Sequence, residues 1–378
     1  MNRTDDRIPE MNLALYDEEI SEFEKMIVAY DGGDIKLKDY KPVSGDFGCI
    51  PQRGGGHVVR LRLAGGVMNA GKLRFAMDKA KEHGAGFIHL TTCQTMQMHG
   101  LACRQVVDVI RSAVDVGIIT KGGGGNNPRN VAASPLSGKD PSEAFDVLPF
   151  AEATEKYVLG TLDGFDFPSK FKISFSNGAD NEVNAAARDL GFVAHGKAFD
   201  VYIGGGMGNR GARTGVRVLE GLDPNKTLYA VEAAFTMFVR HGEGDSRATS
   251  RFRCLRDRLG EERFVSEFLE NLKTSEERGG LDLDVKPSAG NGKGTGYTGG
   301  AMVQKDGKYS VKIAPPAGDP TFGELEAFLA ILENNPEFGM RLGPDQSVYF
   351  TDLDRETAER ILSEYPVRSE FGSSLACV

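Results

Sequence analysis

The sequence predicts an α+β protein in which two similar strand–helix–strand–helix segments flank a central α/β region. A shift of 252 positions aligns the segments, so that Leu90 meets Leu342 and Gln94 meets Gln346. In both segments the apolar residues follow the period of a strand and then that of a helix. Two such halves can pair about a pseudo-twofold axis into one sheet with helices on its back.

The predicted elements of the segments are strands 57–64 and 86–99 with helices 70–83 and 102–116, then strands 308–315 and 338–350 with helices 321–334 and 354–365. In 86–99, polar and apolar residues alternate as in a half-buried strand. Its polar positions suit an anion, and they are His89, Thr91, Cys93, Gln97 and His99. A strand with one solvated face would show the same pattern, but the second copy favours a binding site.

Residues 1–44 are predicted as an arm with an acidic amphipathic helix near 17–30 and an otherwise irregular course. After the first segment, residues 121–138 form a loop with Arg129 at its centre, because four glycines, two asparagines and a proline exclude a long helix. Glycines let backbone N–H groups approach an anion. A surface loop with one arginine would have the same composition.

The central region is predicted to contain helices over 140–160, 183–189, 226–241 and 245–273 and strands over 167–175, 192–194 and 198–203. Lys170 and Lys172 alternate with Phe171 and Ile173, so the lysines share one face. They repel each other unless an anion or a carboxylate lies between them. The alternative is a solvated strand at the edge of a sheet, where lysines hinder pairing with the strands of another molecule.

Two further basic or glycine-rich features lie in this region. Gly204–Gly208 follows a strand, but Asn209 takes the place of the last glycine and no apolar helix follows, which argues against a dinucleotide loop. Arg251 lies on a solvated helix face or in a carboxylate clamp.

Composition narrows the class of protein. A chain of 378 residues can form two or three domains with a large core. Its net charge of −9 argues against a general nucleic-acid binder. Five separated cysteines and the absence of a signal-peptide pattern predict the cytoplasm. No apolar run approaches the roughly 18 residues of a membrane span.

Six motifs in sequence order resemble the sirohaem-dependent nitrite and sulfite reductases of the assimilatory type: VVRLRLAGG (58–66), HLTTCQTMQMHG (89–100), PRNVAASPLSG (128–138), FPSKFKISFS (167–176), GGGMG (204–208) and SSLACV (373–378). The resemblance implies two ferredoxin-like half-domains flanking a nitrite/sulfite reductase α/β domain. The implied divisions are an arm (1–44), half-domain 1 (45–120), a sirohaem-binding domain (121–286), a glycine-rich linker (287–300), half-domain 2 (301–372) and the start of a C-terminal 4Fe–4S/sirohaem domain (373–378).

The resemblance also implies a chemistry. Six electrons reduce sulfite to sulfide or nitrite to ammonia, and a ferredoxin or a separate flavoprotein supplies them. A 4Fe–4S cluster passes the electrons to sirohaem iron through a shared cysteine thiolate. Sirohaem carries eight carboxylates and the substrate is an anion, so both need cations around them.

By motif position, four residues resemble the family's substrate-binding cations, namely Arg60, Arg129, Lys170 and Lys172. Six residues are expected as cofactor contacts, namely His89, Cys93, Gln97, His99, Asn130 and Arg251. The planar fork of arginine suits a multi-oxygen anion, and lysine can also release a proton. Cys377 matches the first of the family's four cluster cysteines, which are spaced C-x5-C and C-x3-C.

The sequence departs from the family pattern in two places. Family members usually have an arginine where this chain has Cys93, and His89 occupies another position where arginine is common. The chain stops at Val378, one residue after the first cluster cysteine, so we expect a fragment or a truncated reading frame. The alternative is a non-catalytic module that binds a tetrapyrrole or docks to a partner carrying the missing domain.

Overall fold

The computed structural model describes residues 8–179, 182–208, 211–242, 249–290, 297–298 and 300–365. The α-helices are α1 (Leu13–Asp31), α2 (Leu37–Asp46), α3 (Ala70–Glu82), α4 (Cys103–Asp115), α5 (Leu148–Thr161), α6 (Thr227–His241), α7 (Phe252–Leu259), α8 (Glu261–Arg278), α9 (Phe322–Asn334) and α10 (Arg355–Glu364). Within the described ranges, no helix has both the length and the apolar composition that crossing a bilayer requires.

The β-strands are β1 (Cys49–Pro51), β2 (His57–Leu61), β3 (Val67–Met68), β4 (Phe87–Leu90), β5 (Met96–Leu101), β6 (Ala132–Ala133), β7 (Ile173–Ser176), β8 (Leu190–His195), β9 (Ala198–Ile203), β10 (Val216–Leu222), β11 (Tyr297–Thr298), β12 (Ala301–Val303), β13 (Tyr309–Ile313), β14 (Gly339–Leu342) and β15 (Val348–Leu353). The chain divides into two compact units. The central unit comprises residues 1–12, 126–138 and 143–289, and the repeat unit comprises residues 13–125, 139–142 and 290–378.

The repeat unit contains two copies of one element order. The first half runs β2, α3, β4, β5 and α4, and the second runs β13, α9, β14, β15 and α10. Each element of the second half begins 252 positions after its counterpart. The predicted internal repeat is therefore present at the level of backbone structure.

The predicted single strands over 86–99 and 338–350 are wrong, because each stretch is a hairpin. β4 and β5 run antiparallel, with His89 opposite Gln97. In the turn, Thr91 Oγ1 accepts hydrogen bonds from the backbone N–H groups of Cys93 and Thr95, both at 3.2 Å. The buried Ile88 and Leu90 of β4 and the buried Met96 and Met98 of β5 occupy even-numbered positions. The alternation therefore continues through the turn and conceals it.

The two halves form two sheets instead of the single sheet predicted. The first sheet has the order β1-β2-β5-β4, and the second has the order β11-β12-β13-β15-β14-β3. Strand β3 comes from the first half and pairs with β14 through Met68 and Met340. The equivalent of Met68 in the second half is Pro320. Proline has no backbone N–H, so it cannot donate in the symmetric pairing.

Two buried glutamines form hydrogen bonds between the two halves. Gln94 Nε2 donates to the carbonyl of Leu342 at 2.8 Å, and Gln346 Nε2 donates to the carbonyl of Leu90 at 3.0 Å. Both glutamines have a left-handed backbone, with φ of 56° and 66°. Leaving a buried polar group without its partner costs about 1–3 kcal/mol. The two reciprocal hydrogen bonds therefore specify how the halves pair.

Two glycines leave room for these glutamines. A Cβ on Gly66 would lie 2.6 Å from the carbonyl oxygen of Leu342, and a Cβ on Gly318 would lie 2.8 Å from that of Leu90. Both glycines also have positive φ, at 73° and 77°. Glycine is the residue that adopts this backbone without a steric cost.

The N-terminal arm has more regular structure than predicted. The helix expected near 17–30 extends over all of α1, which packs against α4 and buries Tyr16, Ile20, Phe23 and Ile27. The region expected to be irregular contains α2, which includes Pro42. Tyr40 of α2 stacks on Tyr30 at a ring-centroid distance of 4.0 Å. Aromatic burial of this kind explains why α2 persists despite its proline.

The central unit is built on a five-stranded mixed sheet of order β10-β9-β8-β7-β6. Strands β6, β7 and β8 are parallel, whereas β8, β9 and β10 are antiparallel. Its core is rich in phenylalanine and includes Phe145, Phe150, Phe171, Phe175, Phe192, Phe199, Phe235, Phe238, Phe252 and Phe264. Burial of so many rings supplies a large part of the hydrophobic stabilisation of this unit.

Three helix predictions in the central unit need correction. The helix predicted over 140–160 begins only at Leu148, because Glu143 and Asp146 accept hydrogen bonds from Gly138 and Ser137 and stabilise a loop. The helix predicted over 245–273 is two helices, α7 and α8, separated by Gly260 at φ 78°. The segment 183–189 contains a single 3₁₀ turn, Ala185–Ala187.

Candidate functional site

A row of polar side chains crosses the sheet of the first half. Gln97 on β5 is the direct cross-strand partner of Arg60 on β2 and of His89 on β4. Directly paired residues share one face of a sheet, and His99, two residues along β5, shares it too. The opposite face carries the buried Ile88 and Met98. The predicted polar face is present.

Arg60 is fixed by three hydrogen bonds. Nη1 donates to the carbonyl of Gly123 at 2.6 Å. In the amide orientation that satisfies its neighbours, the Gln97 oxygen accepts from Nη2 at 2.5 Å and from Nε at 3.0 Å. Within the described part of the chain, no carboxylate forms an ion pair with Arg60. Burial lowers its pKa, and the neighbouring Cys93 thiol acts in the opposite direction.

His99 continues this chain of hydrogen bonds. The same orientation of Gln97 lets its amide nitrogen donate to Nε2 of His99 at 3.1 Å, so that nitrogen is an acceptor. The ring stacks on Phe87 at a centroid distance of 4.3 Å. Burial lowers the pKa of His99 to about 4, and the nearby His89 and Arg60 reinforce the shift. At neutral pH His99 is therefore uncharged.

His89 links the two halves of the repeat unit. Its Nδ1 donates to Asp319 Oδ1 at 2.7 Å, and its Nε2 accepts from Gln346 Nε2 at 3.0 Å. The side chain is 3% exposed. Both ring nitrogens are therefore occupied by groups of the second half. The predicted role of His89 as a cofactor contact stays a prediction.

In the central unit, Lys170 and Lys172 precede β7 instead of lying within it, because the predicted strand over 167–175 begins only at Ile173. Phe171 and Ile173 are buried, while Lys170 is exposed and Lys172 is half-buried. The predicted alternation is therefore confirmed. The Lys172 ammonium forms no ion pair or hydrogen bond with the residues that the structure describes, and its backbone N–H donates to Asp189 at 2.9 Å.

Arg129 and Asn130 are buried at the start of the segment that leads into β6, at 8% and 4% exposure. Arg129 Nη1 donates to the carbonyl of Asn127 at 3.0 Å. Its backbone N–H donates to the carbonyl of Phe171 at 2.8 Å, which connects this loop with the segment that carries the two lysines. Within the central unit, the structure therefore brings Arg129 and the lysine segment side by side.

Arg251 forms an ion pair with a buried acid that sequence reasoning did not identify. Its Nη2 lies 2.9 Å from Oδ2 of Asp189, whose side chain is 1% exposed. Asp189 directly precedes β8. Its burial and its ion pair with Arg251 are visible only in the structure. The Nε of Arg251 is buried and has no hydrogen-bond partner among the described residues. The clamp interpretation of Arg251 is the one that this geometry supports.

The glycines of 204–208 make room for an arginine. A Cβ on Gly206 would lie 2.7 Å from Nη1 of Arg253, and one on Gly208 would lie 3.2 Å from its Nη2. Arg253 itself is 8% exposed. The side chain thus occupies the space that a dinucleotide loop would offer to a phosphate, which agrees with the rejection of a nucleotide site.

The described cysteines do not form a cluster site. Cys49, Cys93, Cys103 and Cys254 form no disulfide. Burial raises the pKa of Cys49 to about 12 and that of Cys103 to about 11, opposite to what metal ligation needs. In the described ranges, the one group of three or more potential ligands contains no cysteine and is Glu82, His83 and Asp108. Cys377 lies outside the described residues.

Comparison with protein families identifies the chain. The description "Nitrite/Sulfite reductase ferredoxin-like half domain" matches residues 50–115 and 302–365, and "Nitrite and sulphite reductase 4Fe-4S domain" matches residues 124–276. The chain belongs to the nitrite/sulfite reductase family. The two half-domain matches coincide with the two halves of the repeat unit, which confirms the predicted α+β class with two ferredoxin-like half-domains.

Individual relatives of this nitrite/sulfite reductase chain include both kinds of enzyme. The assimilatory ferredoxin-dependent nitrite reductase of Haloferax mediterranei is 25% identical over 84% of this chain and 59% of its own length. The sulfite reductase [NADPH] hemoprotein beta-component of Bacillus subtilis is 30% identical over 57% of this chain and 43% of its own length. The chain thus spans about half the length of these relatives.

Solved structures agree on the fold of this family member. The NirA protein of Mycobacterium tuberculosis superimposes with a TM-score of 0.74 at 20% sequence identity. The match covers 93% of this chain and 70% of the NirA chain.

The described residues fit one of the family's two cofactors. Sirohaem is a polycarboxylate, and the chain offers the Nε–H of Arg251, the ammonium of Lys172 and the guanidinium of Arg60 as cations with capacity for an anion. A 4Fe–4S cluster needs cysteine thiolates gathered at one point. The described cysteines supply no such group.

Proposed function

We propose that this chain is part of a reductase that takes nitrite to ammonia or sulfite to sulfide with six electrons at a sirohaem/4Fe–4S centre. The chain supplies cations that bind the substrate anion and part of the cradle for sirohaem. Arg60, Arg129, Lys170 and Lys172 bind the anion. Sirohaem, when bound, supplies the iron on which the substrate is reduced. Cys377, which lies outside the described residues, is the proposed first ligand of the cluster.

One observation carries this proposal. In a chain with a net charge of −9, Arg60 and Lys172 form no ion pair with a described carboxylate. A cation that is partly buried without a counter-charge is unfavourable unless an anion binds it. Both residues lie in segments that the family descriptions match, Arg60 in 50–115 and Lys172 in 124–276. The same two cations serve either nitrite or sulfite.

The remaining cofactor assignments follow from chemistry and burial. Gln97 holds Arg60 in place and connects it with His99, which is neutral and can accept a proton only at low pH. Asn130 lies beside Arg129, and Cys93 lies beside Arg60. A ferredoxin or a flavoprotein is the proposed electron donor. One relative is named as ferredoxin-dependent and another as the haemoprotein component of an NADPH sulfite reductase.

The test is replacement of Lys172 by Met in the holoenzyme that is purified with this chain. We expect turnover with nitrite and with sulfite to fall at least tenfold while the sirohaem content, measured by absorbance, stays near normal. Lys197→Met is the matched control, since Lys197 is an exposed lysine in the turn between β8 and β9 of the same unit. Undiminished turnover of Lys172→Met, or an equal loss in the control, contradicts the assignment.

A second candidate function is a non-catalytic module that binds a tetrapyrrole or docks to a partner carrying the cluster. The dispersed described cysteines favour it. Reconstitution of the purified 378-residue chain with sirohaem, ferrous iron and sulfide distinguishes the two functions. Binding of sirohaem without cluster formation or reductase activity supports the module. Formation of a cluster with turnover from reduced viologen contradicts it.

A further inference from the structure

The second half of the repeat unit has its own copy of the row that contains Arg60. Lys312 occupies the place of Arg60, Tyr349 that of Gln97 and Arg341 that of His89, each 252 positions later. Tyr349 is the cross-strand partner of both Lys312 and Arg341. The two halves therefore present a basic residue at the same point on the equivalent strands, β2 and β13.

In the second half, a carboxylate balances the charge of this basic residue, Lys312. Lys312 Nζ lies 2.5 Å from Oδ2 of Asp345 and 5.5 Å above the ring of Tyr349. Burial alone would raise the pKa of Asp345, but hydrogen bonds from Lys312 and Ser347 lower it below its usual value. Asp345 is therefore ionised at neutral pH, and its carboxylate forms the ion pair that compensates the Lys312 ammonium.

In the first half the residue equivalent to Asp345 is Cys93. A thiol in place of a carboxylate leaves the charge of Arg60 uncompensated by any described acid. The three hydrogen bonds to Gly123 and Gln97 use Nε–H, one N–H of Nη1 and one N–H of Nη2. Guanidinium has five N–H groups. One N–H on each terminal nitrogen is therefore left to donate to an oxyanion.

We propose that the residue at position 93, and its equivalent at position 345, determines whether each half binds an oxyanion. Cys93 keeps the first half open to an anion at Arg60, and Asp345 closes the second half by occupying Lys312 from within the chain. This deepens the proposed function at Arg60 and adds a second, latent anion site to the protein. The ligand is a small planar or pyramidal oxyanion, such as nitrite or sulfite.

The experiment titrates nitrite into the full 378-residue chain at constant ionic strength, without cofactor, and follows the arginine and lysine side-chain NMR signals. Arg60 is assigned with Arg60→Lys. We expect a saturable shift of the Arg60 signal in the wild type and in Cys93→Asn, and an affinity at least tenfold weaker in Cys93→Asp. Asparagine is the matched control, because it has the size of aspartate without the charge. Wild-type affinity in Cys93→Asp, or no saturable shift in the wild type, overturns the proposal.

The second half supplies an independent measurement. Asp345→Asn retains a side chain of the same size and can still hydrogen-bond Ser347, so the turn is preserved. We expect the Lys312 signal to gain a nitrite-dependent shift that the wild type lacks. If the Lys312 signal of Asp345→Asn gains no nitrite-dependent shift while the backbone amide spectrum is unchanged, the proposal that Asp345 blocks anion binding at Lys312 is refuted. Because these titrations use neither sirohaem nor turnover, they can succeed or fail separately from the reductase function.

Discussion

The burial of His99 predicts a specific loss of stability in acid. In the folded chain its pKa is about 4, because burial and the nearby His89 and Arg60 disfavour the charged ring. In the unfolded chain a histidine titrates near 6.5. Between these two values the unfolded state binds more protons than the folded state. Stability contributed by neutral His99 is therefore complete above about pH 6.5 and is lost as the pH falls toward 4.

The size of the effect follows from the two pKa values. A difference of about 2.5 units corresponds to about 3 kcal/mol between the limits of the window, at about 1.4 kcal/mol per unit. The folded ring cannot easily gain a proton on Nε2, since the Gln97 amide nitrogen donates to that atom. Protonation thus requires loss of a buried hydrogen bond in addition to desolvation of a charge.

Two measurements test this prediction. A pH titration of the histidine ring signals by NMR should show His99 titrating near pH 4. Hydrogen exchange of the β5 amides should show that the wild type loses about 3 kcal/mol more than His99→Gln between pH 7 and pH 4. His195→Gln is the control, since His195 is exposed, and it should follow the wild type. A midpoint at or above 6.5, or equal acid losses in His99→Gln and the wild type, would refute the reasoning.

Three further predictions concern other parts of the chain. In urea unfolding, Gly318→Ala should lower the free energy of unfolding by about 1–3 kcal/mol more than the control Gly84→Ala. Both glycines have positive φ, but only Gly318 has a carbonyl within 3 Å of the added Cβ. Equal losses of unfolding free energy in the two variants would contradict this prediction. Arg251→Met should cost about 3–5 kcal/mol by thermal unfolding, since it leaves the buried carboxylate of Asp189 unpaired, whereas Arg251→Lys should cost less; equal costs would show that the charge is unimportant. Cys49 should resist iodoacetamide at pH 8 until urea is added, because burial raises its pKa to about 12, and labelling at the rate of a free thiol in the folded chain would disprove it.

The repeat and its element order could be predicted from the sequence because they depend on local periodicity. The starts of α3 and α9, at Ala70 and Phe322, agree with the predicted helices over 70–83 and 321–334. The hairpins could not be predicted, because apolar residues keep the same phase on both sides of each turn. The left-handed backbone of Gln94 lies in the turn of the first hairpin, at a residue whose side chain donates to the other half, and glutamine has no local preference for this conformation that would predict it.

The candidate site, too, could be predicted only in part from the sequence. Residue types and motifs pointed to Arg60 and Lys172, which the structure shows without carboxylate partners among the described residues. Sequence reasoning missed Asp189 and Asp319, since an isolated acid gives no signal of the cation or histidine it contacts. The contrast between Cys93 and Asp345 was available from the 252-residue shift, but its meaning required the ion pair of Lys312.

The reciprocal glutamines also have a consequence for synthesis of the chain on the ribosome. The hydrogen bond from Gln94 to Leu342 joins residues 248 positions apart, and residues 126–138 and 143–289 of the central unit are made in between. At 5–20 residues per second, the first half waits about 10–50 s for its complement. During that time the side-chain amide of Gln94 and the carbonyl of Leu90 lack their partners in the second half, Leu342 and Gln346. Closing so long a loop adds little thermodynamic cost, but the two hydrogen bonds between the halves can form only after the second half has been synthesised.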